Sequence, residues 1–311
     1  MVDRIMKNTL RYITVLLAVF IAGNLHVYSK SDNKPEVRIE TEIKGSGYVG
    51  EAMEYTVRLI STSPEIANVQ AVTAPKFPEG VNVIQGVARD NRPQKTEEKG
   101  KTLYNWTIMR YYLVPEGPGK FNVSAGKFVA FIPYIREINQ GFWGWQRVMD
   151  YEEMELEGKA VSFKAKALPT KKEKMEYSDC VGDFKVEGWF PPGKILEGNE
   201  AIAVITISGF GSLENIKLPN LYKIFGDGCT LKQVEQDDHQ MQRDGKLYSE
   251  VTLTCKFVAD KANFKISPLC LLFFNPATGK YYETCSDELH WTETPSKTTK
   301  KTDYTKGAIE I

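Results

Sequence analysis

Histidine is scarce: three occur in 311 residues, and His26 falls in the N-terminal apolar segment. Catalysis asks for a poised base, a nucleophile or a metal. No G-x-S-x-G elbow, P-loop, dinucleotide fingerprint or H-E-x-x-H occurs. Common hydrolase, nucleotide and zinc-protease chemistry therefore has no foothold. Cysteine is absent from the first 179 residues, and the five present (Cys180, Cys229, Cys255, Cys270 and Cys285) form no C-x-x-C or Cys/His grouping. That argues against a zinc site. An excess of one charge is also missing, with 40 basic and 40 acidic residues. Without a basic stripe there is no electrostatic footprint for nucleic acid.

Long apolar runs are missing too, except one. Ile13–Gly23 is apolar apart from Thr14 and follows Arg4, Lys7 and Arg11. Val27 and Ser29 place small residues at the −3 and −1 positions of a cleavage site. This reads as a cleaved signal peptide over residues 1–29. The run is too short for a membrane span, which needs about 20 apolar residues. No second run of spanning length follows. The mature chain is expected to be periplasmic or secreted, without a transmembrane span, at a net charge of −2 once Asp3, Arg4, Lys7 and Arg11 are removed.

The remainder reads as one unit written twice. The first copy opens at Gly50-Glu51 with Met53, Tyr55, Val57 and Leu59 in alternation. The second opens at Gly198 and Glu200 with Ile202, Val204 and Thr206 on one face and Ala203, Ile205 and Ile207 on the other. The copies close with Leu113–Ser124 and Phe257–Ser267. The offsets, 148 from Gly50 to Gly198 and 143 from Phe121 to Phe264, are nearly equal. Short period-two runs punctuated by Gly, Pro, Asn and Asp predict strands almost throughout and no sustained helix. Val37–Ile43 and Glu54–Ile60 are clear cases. Asn105–Leu113 and Lys120–Phe131 are expected to form a hairpin about Pro115–Gly119. Tyr248–Val258 and Asn263–Asn275 would repeat it. The fold class is all-β: two tandem immunoglobulin-like β-sandwich domains, over 36–166 and 182–294, after a signal peptide. Residues 167–181 read as a linker and 295–311 as a disordered tail. Residues 90–102 and 235–246 read as equivalent polar loops.

An odd cysteine count in an exported chain leaves at least one thiol outside any internal bridge. Cys255 and Cys270 lie on the two arms of the second expected hairpin, where a cross-strand bridge is sterically conceivable. The plainer reading makes the cysteines small buried apolar groups. His239 beside Asp237 and Asp238 could hold a metal, but a solvated hairpin loop is commoner. His290 is expected on the solvent face of a terminal strand. Glu153, Glu155 and Glu157 would share one strand face with Met154 and Leu156 behind it. That pattern fits an exposed edge strand better than a carboxylate pair for hydrolysis. The most unusual composition is Ile138–Arg147, where Phe142, Trp143 and Trp145 are set among glycines. Trp, Phe and Arg dominate interface energetics. Phe142, Trp143, Trp145 and Arg147 are therefore the candidate partner-binding residues. The same aromatics would also suit sugar stacking in a secreted glycan- or surface-binding module.

Several stretches, in this order, resemble the BatD (oxygen tolerance, or aerotolerance-type) family of Bacteroides-like bacteria. They are Gly47–Glu51, Ala74–Val81, Tyr111–Pro115 with Gly119–Phe121, Ala167–Pro169, Val181–Phe184, Ile207–Leu213, Leu218-Pro219 and Phe273–Tyr281. Residues 138–151 are similar to an aromatic, Gly-containing insertion of that family. The resemblance implies tandem immunoglobulin-like domains facing the periplasm. It also implies work beside membrane-anchored von Willebrand A-domain proteins and a MoxR-type ATPase. It transfers no catalytic residue. The family usually continues to a C-terminal membrane helix, and the chain reads as a short form without one. The expectation is a non-enzymatic interaction or scaffold module with no cofactor and no metal.

Overall fold

The computed structural model describes residues 28–29, 34–88, 92–139, 145–193, 195–226 and 228–292. The protein is all-β. Among the described residues the only helical turn is a 3-10 turn at Leu221–Lys223. The first half contains β1 (Tyr28–Ser29), β2 (Val37–Lys44), β3 (Met53–Ser61), β4 (Asn68–Thr73), β5 (Val81–Gln85), β6 (Gln94–Glu98), β7 (Lys101–Pro115), β8 (Gly119–Val123), β9 (Lys127–Asn139), β10 (Trp145–Glu157) and β11 (Val161–Ala165). The second contains β12 (Tyr177–Trp189), β13 (Glu200–Gly211), β14 (Cys229–Arg243), β15 (Lys246–Ala259), β16 (Asn263–Ile266), β17 (Cys270–Asn275), β18 (Lys280–Cys285) and β19 (Leu289–Thr292).

The two halves pair their strands by one plan. In the first, one sheet runs β2-β3-β7-β5, with β6 also on β7; β9 takes β10 and β4, and β8 pairs with β11. In the second, one sheet runs β12-β13-β15-β14; β17 takes β18 and the start of β12, and β16 pairs with β19. The repeat reaches single hydrogen bonds. Gly50 (φ 80°) donates its N–H to Pro115 O at 2.8 Å, and Gly198 (φ 78°) to Ala259 O at 2.7 Å. Both positions need a left-handed backbone, which glycine adopts without steric cost.

Each half buries its own core. Tyr55, Val57, Leu59, Leu113, Phe128 and Ile132 fill the first. Ile205, Ile207, Leu253, Phe257, Phe264 and Phe273 fill the second. Each such side chain contributes about 1.5–3 kcal/mol of burial. Among the described residues the halves touch at several places, one of them the hydrogen bond that Asn82 Nδ2 donates to Glu214 Oε2. Tyr48 meets Phe274 edge-on at 4.9 Å, with Lys166 Nζ 4.4 Å from the Tyr48 ring centre. At the tip of the β14–β15 ribbon, Tyr112 Oη donates to Gly245 O at 3.0 Å, and Val87 N–H donates to Gln242 Oε1 at 3.0 Å.

Several expectations need correction. Neither closing pair of strands is a hairpin. β7 pairs with β3, β5 and β6 while β8 pairs with β11, so Pro115–Gly119 carries the chain from one sheet to another. The segment expected as one arm, Lys120–Phe131, divides between β8 and β9. β15 and β16 repeat the crossing. This also removes the Cys255–Cys270 bridge, because β15 and β17 do not pair: β13 and β12 stand between them. The bridge joins Cys270 to Cys285, directly opposed on β17 and β18. Cys180 and Cys255 are free and buried, and Cys229 is buried with its Sγ 3.9 Å from Lys265 O. The expected polar loops are ribbons. Lys99-Gly100 and Asp244-Gly245 all have positive φ and close two-residue turns between Glu98 and Lys101 and between Arg243 and Lys246. Solvent on both faces leaves such a ribbon without apolar alternation. The stretch expected as a linker, 167–181, already belongs to β12 from Tyr177 onward. Cys180 and Val181 are buried there, and Ser178 Oγ donates to Leu272 O at 2.7 Å.

Candidate interaction surface

Strand β10 shows why one face of the first half is open. It pairs with β9 in unbroken antiparallel register from Trp145↔Asn139 to Glu157↔Lys127. Among the described residues it has no partner on its other side. Side chains alternate across a strand. Val148, Asp150, Glu152, Met154 and Leu156 are half-buried or buried, while Trp145, Arg147, Met149, Tyr151, Glu153, Glu155 and Glu157 are exposed. Trp145 is 71% exposed, Tyr151 50% and Met149 44%. Three large apolar side chains thus share one water-facing side of the strand, with Arg147 between Trp145 and the adjacent pair Met149 and Tyr151. Exposed apolar groups scattered singly need no explanation, but a contiguous row does.

The flanking chemistry is ordered. Arg147 Nε pairs with Glu137 Oε1 at 3.0 Å across the ribbon, both strongly exposed. Tyr151 Oη lies 3.6 Å from Met149 Sδ, which holds those two side chains against each other. On the opposite face Asp150 Oδ2 accepts from Tyr134 Oη at 3.2 Å and pairs with Arg136 at 3.3 Å. Lys34 reaches Glu152 at 2.9 Å. The inner face is therefore tied down, and the outer face carries an apolar stripe followed by an acidic one. Glu153 and Glu155 make no ion pair among the described residues.

Of the four candidate residues, Trp145 and Arg147 lie side by side on this face. They belong to a strand, where a flexible loop was expected. Phe142 and Trp143 lie outside the described residues. Met149 and Tyr151 complete the stripe, and sequence reasoning passed over them. Alternation carried from Trp145 to Glu157 was the signal that could have found them. The exposed edge expected for Glu153, Glu155 and Glu157 is present, with Leu156 buried behind it.

Other polar groupings lead elsewhere. His239 sits on β14, exposed, with Nε2 3.2 Å from Asp237. With Leu213, Glu214, Asp238, Gln240, Ser249, Glu250 and Val251 it lines an open depression of about 280 Å³. The one hydroxyl there, Ser249 Oγ, is committed to Gly211 O at 2.7 Å. His290 is exposed and pairs with Glu288 at 2.8 Å. Lys265 donates to the same Glu288 and holds its carboxyl below the usual range. Cys270, Glu283 and Cys285 converge, but both sulfurs are spent on the disulfide. Burial pushes the Cys180 thiol up to about 12 and the Cys255 thiol to about 11. Such thiols stay protonated and unreactive at neutral pH. Compared with known proteins, the chain matches no protein-family model and no curated protein.

Proposed function

We propose that this chain is a non-enzymatic interaction module of the bacterial envelope that captures a protein partner on the outer face of the β9–β10 ribbon. The observation that carries this reading is the row Trp145, Met149 and Tyr151 with Arg147 among them, exposed on a rigid strand. Binding energy concentrates in aromatic and arginine side chains, and anchors on a paired strand lose little freedom on binding. The signal-peptide pattern supports export to the periplasm. The resemblance to the BatD family supports membrane-anchored von Willebrand A-domain proteins as the partner, in a system with a MoxR-type ATPase.

The test is cross-linking and recovery of the full chain from its own envelope, wild type against Trp145→Ala/Met149→Ala/Tyr151→Ala. All three side chains are exposed, so the variant keeps the core. Deleting 138–148 would cut both strands and is the poorer choice. The expected result is recovery of von Willebrand A-domain proteins that falls at least about tenfold in the variant. Equal recovery by both would discard the ribbon as the site. Recovery of no such protein, with Trp fluorescence shifted by soluble polysaccharide, would replace the scaffold by a glycan-binding module.

A further inference from the structure

The short sheet of β8 and β11 departs from the way this chain places charge on other strands. There, lysines meet carboxylates: Lys44 meets Glu42, Lys127 meets Glu157, Lys185 meets Glu187 and Lys256 meets Glu235. On β8 and β11, Lys120 and Lys164 are instead directly opposed. Neither has an ion pair among the described residues. We infer that the outer face of this sheet docks on an anionic phospholipid surface.

Alternation builds the face. Phe121 and Phe163 stack at 5.2 Å, with Val123 and Ala165 buried on the same side. Lys120, Asn122 and Ser124 of β8 and Ser162 and Lys164 of β11 therefore turn outward, and all are exposed. Two further lysines extend the face at its margins. Lys76 and Ser124 exchange backbone hydrogen bonds at 3.1 and 3.0 Å, which sets Lys76 beside Ser124. Lys166 continues the alternation of β11, with Nζ 4.4 Å from the Tyr48 ring centre. Both are exposed. No residue at these positions is acidic. Glu79 and Glu116, in the turns that border β8, make no ion pair among the described residues. Glu51 is spent on the N–H groups of Ser46 and Tyr48 at 2.7 and 3.0 Å.

Directly opposed like charges destabilise a strand pair. One lysine is enough to discourage strand addition at an edge; a second facing it adds only repulsion, which an anionic surface removes. The shape of the cluster favours lipid. The four lysines spread in two dimensions over three neighbouring segments, so a plane of headgroups meets them together, whereas one extended polyanion would follow a single row. Lysine is a hydrated point charge on a flexible stem, suited to a mobile headgroup layer; arginine, which suits fixed bidentate pairing, is absent from this face. Asn122, Ser124 and Ser162 lie between the lysines, so nothing apolar is offered for insertion. Attachment is then electrostatic, worth about fivefold in binding per lysine, and screened by salt.

The inference goes beyond partner capture and leaves that surface open. β8 and β11 continue β9 and β10 past Gly126 and Gly158, where Gly158 N–H donates to Gly126 O at 3.5 Å. Trp145 stands at the other end of β10.

Co-sedimentation with vesicles tests it. The chain from residue 30 onward carries both cores and lacks the N-terminal apolar segment, which would itself enter lipid. At low salt it should sediment with vesicles containing phosphatidylglycerol and stay behind with vesicles of phosphatidylcholine alone. Lys120→Gln/Lys164→Gln should weaken binding at least about tenfold. Lys95→Gln/Lys232→Gln removes the same charge from exposed positions on β6 and β14 and should leave binding within about threefold. Absence of binding by the wild-type chain, equal loss in both variants, or capture of soluble polyglutamate in place of vesicles would each overturn the inference. The two readings fail separately: envelope recovery reports capture of a protein, and pure lipid reports docking.

Discussion

The two longest ribbons of this molecule come from different halves of the repeat and meet different fates. In the first half β9–β10 is drawn out, and its face and outer edge stay open. In the second half the matching β17–β18 hairpin is short and closed by a disulfide. There it is β14–β15 that is drawn out. Its tip returns to the first half, where Tyr112 and Val87 receive it. One strand plan has thus been lengthened twice, at a different ribbon in each half. Corresponding strand positions such as Leu113 and Phe257 are buried in both halves; the ribbons differ. The difference teaches that surface ribbons carry what is particular to each half, and cores carry what is shared.

The largest effects should come from the shared part. Leu113 and Phe257 occupy corresponding strand positions, opposite Met53 and Ala201, and both are fully buried. Phe257 also meets the rings of Phe225 at 5.7 Å and Phe264 at 5.4 Å. Phe257→Ala should cost about 3–5 kcal/mol and Leu113→Ala about 2–5 kcal/mol. Calorimetry should show each substitution lowering a separate transition. One transition shifted equally by both would mean the contacts between the halves suffice to make a single cooperative unit.

Alkaline pH should separate the halves next. Burial raises the hydroxyls of Tyr55 and Tyr282 from 10.0 to about 12, and the thiols of Cys180 and Cys255 from 9.0 to about 12 and about 11. The unfolded chain releases these protons first. Their contribution is therefore complete below the unfolded values and is lost as pH rises toward the folded ones. Each group costs about 1.4 kcal/mol per pH unit in that window. Only the second half carries thiols, so its unfolding should begin near pH 9 and precede that of the first. Far-UV dichroism against pH, with each half's transition marked by the two alanine variants, checks the order. Loss of the first half before the second would contradict it.

The smallest effects have opposite signs. Tyr55 Oη is buried in the first core with no hydrogen-bond partner among the described residues, whereas Tyr282 Oη accepts from Phe184 N–H at 2.6 Å. Tyr55→Phe should stabilise by about 1 kcal/mol and Tyr282→Phe should destabilise by about as much. Denaturant midpoints measured on both variants decide this; equal signs would refute the contrast.

Much of this fold was legible in the sequence, because period-two alternation marks a strand wherever one face is buried. Strands β2 and β3 fall within a residue or two of where Val37–Ile43 and Glu54–Ile60 placed them, and β13 contains the alternation read over Ile202–Ile207. Strand partners were less legible. Pro115–Gly119 gives the same turn signal whether its arms pair with each other or part into two sheets, and the bridge held conceivable between Cys255 and Cys270 rested on the same hairpin reading. Residues 235–243 concealed a strand because both its faces meet water. At the surface, Trp145 and Arg147 drew notice through composition. Met149 and Tyr151 did not, since the alternation was read only over Glu153–Glu157 and not carried back to Trp145.

The crossings at Pro115–Gly119 and Ala259–Asn263 also govern how the chain reaches this state. Zipping neighbouring strands about those turns would build the wrong sheet, so the native pairings must wait for distant segments to meet. Loop closure is then paid before the contacts that reward it, which places such folds on the scale of about milliseconds to seconds. Until then the edge of β10 is exposed and unguarded by its sandwich. The molecule carries the same slow step twice, once in each half.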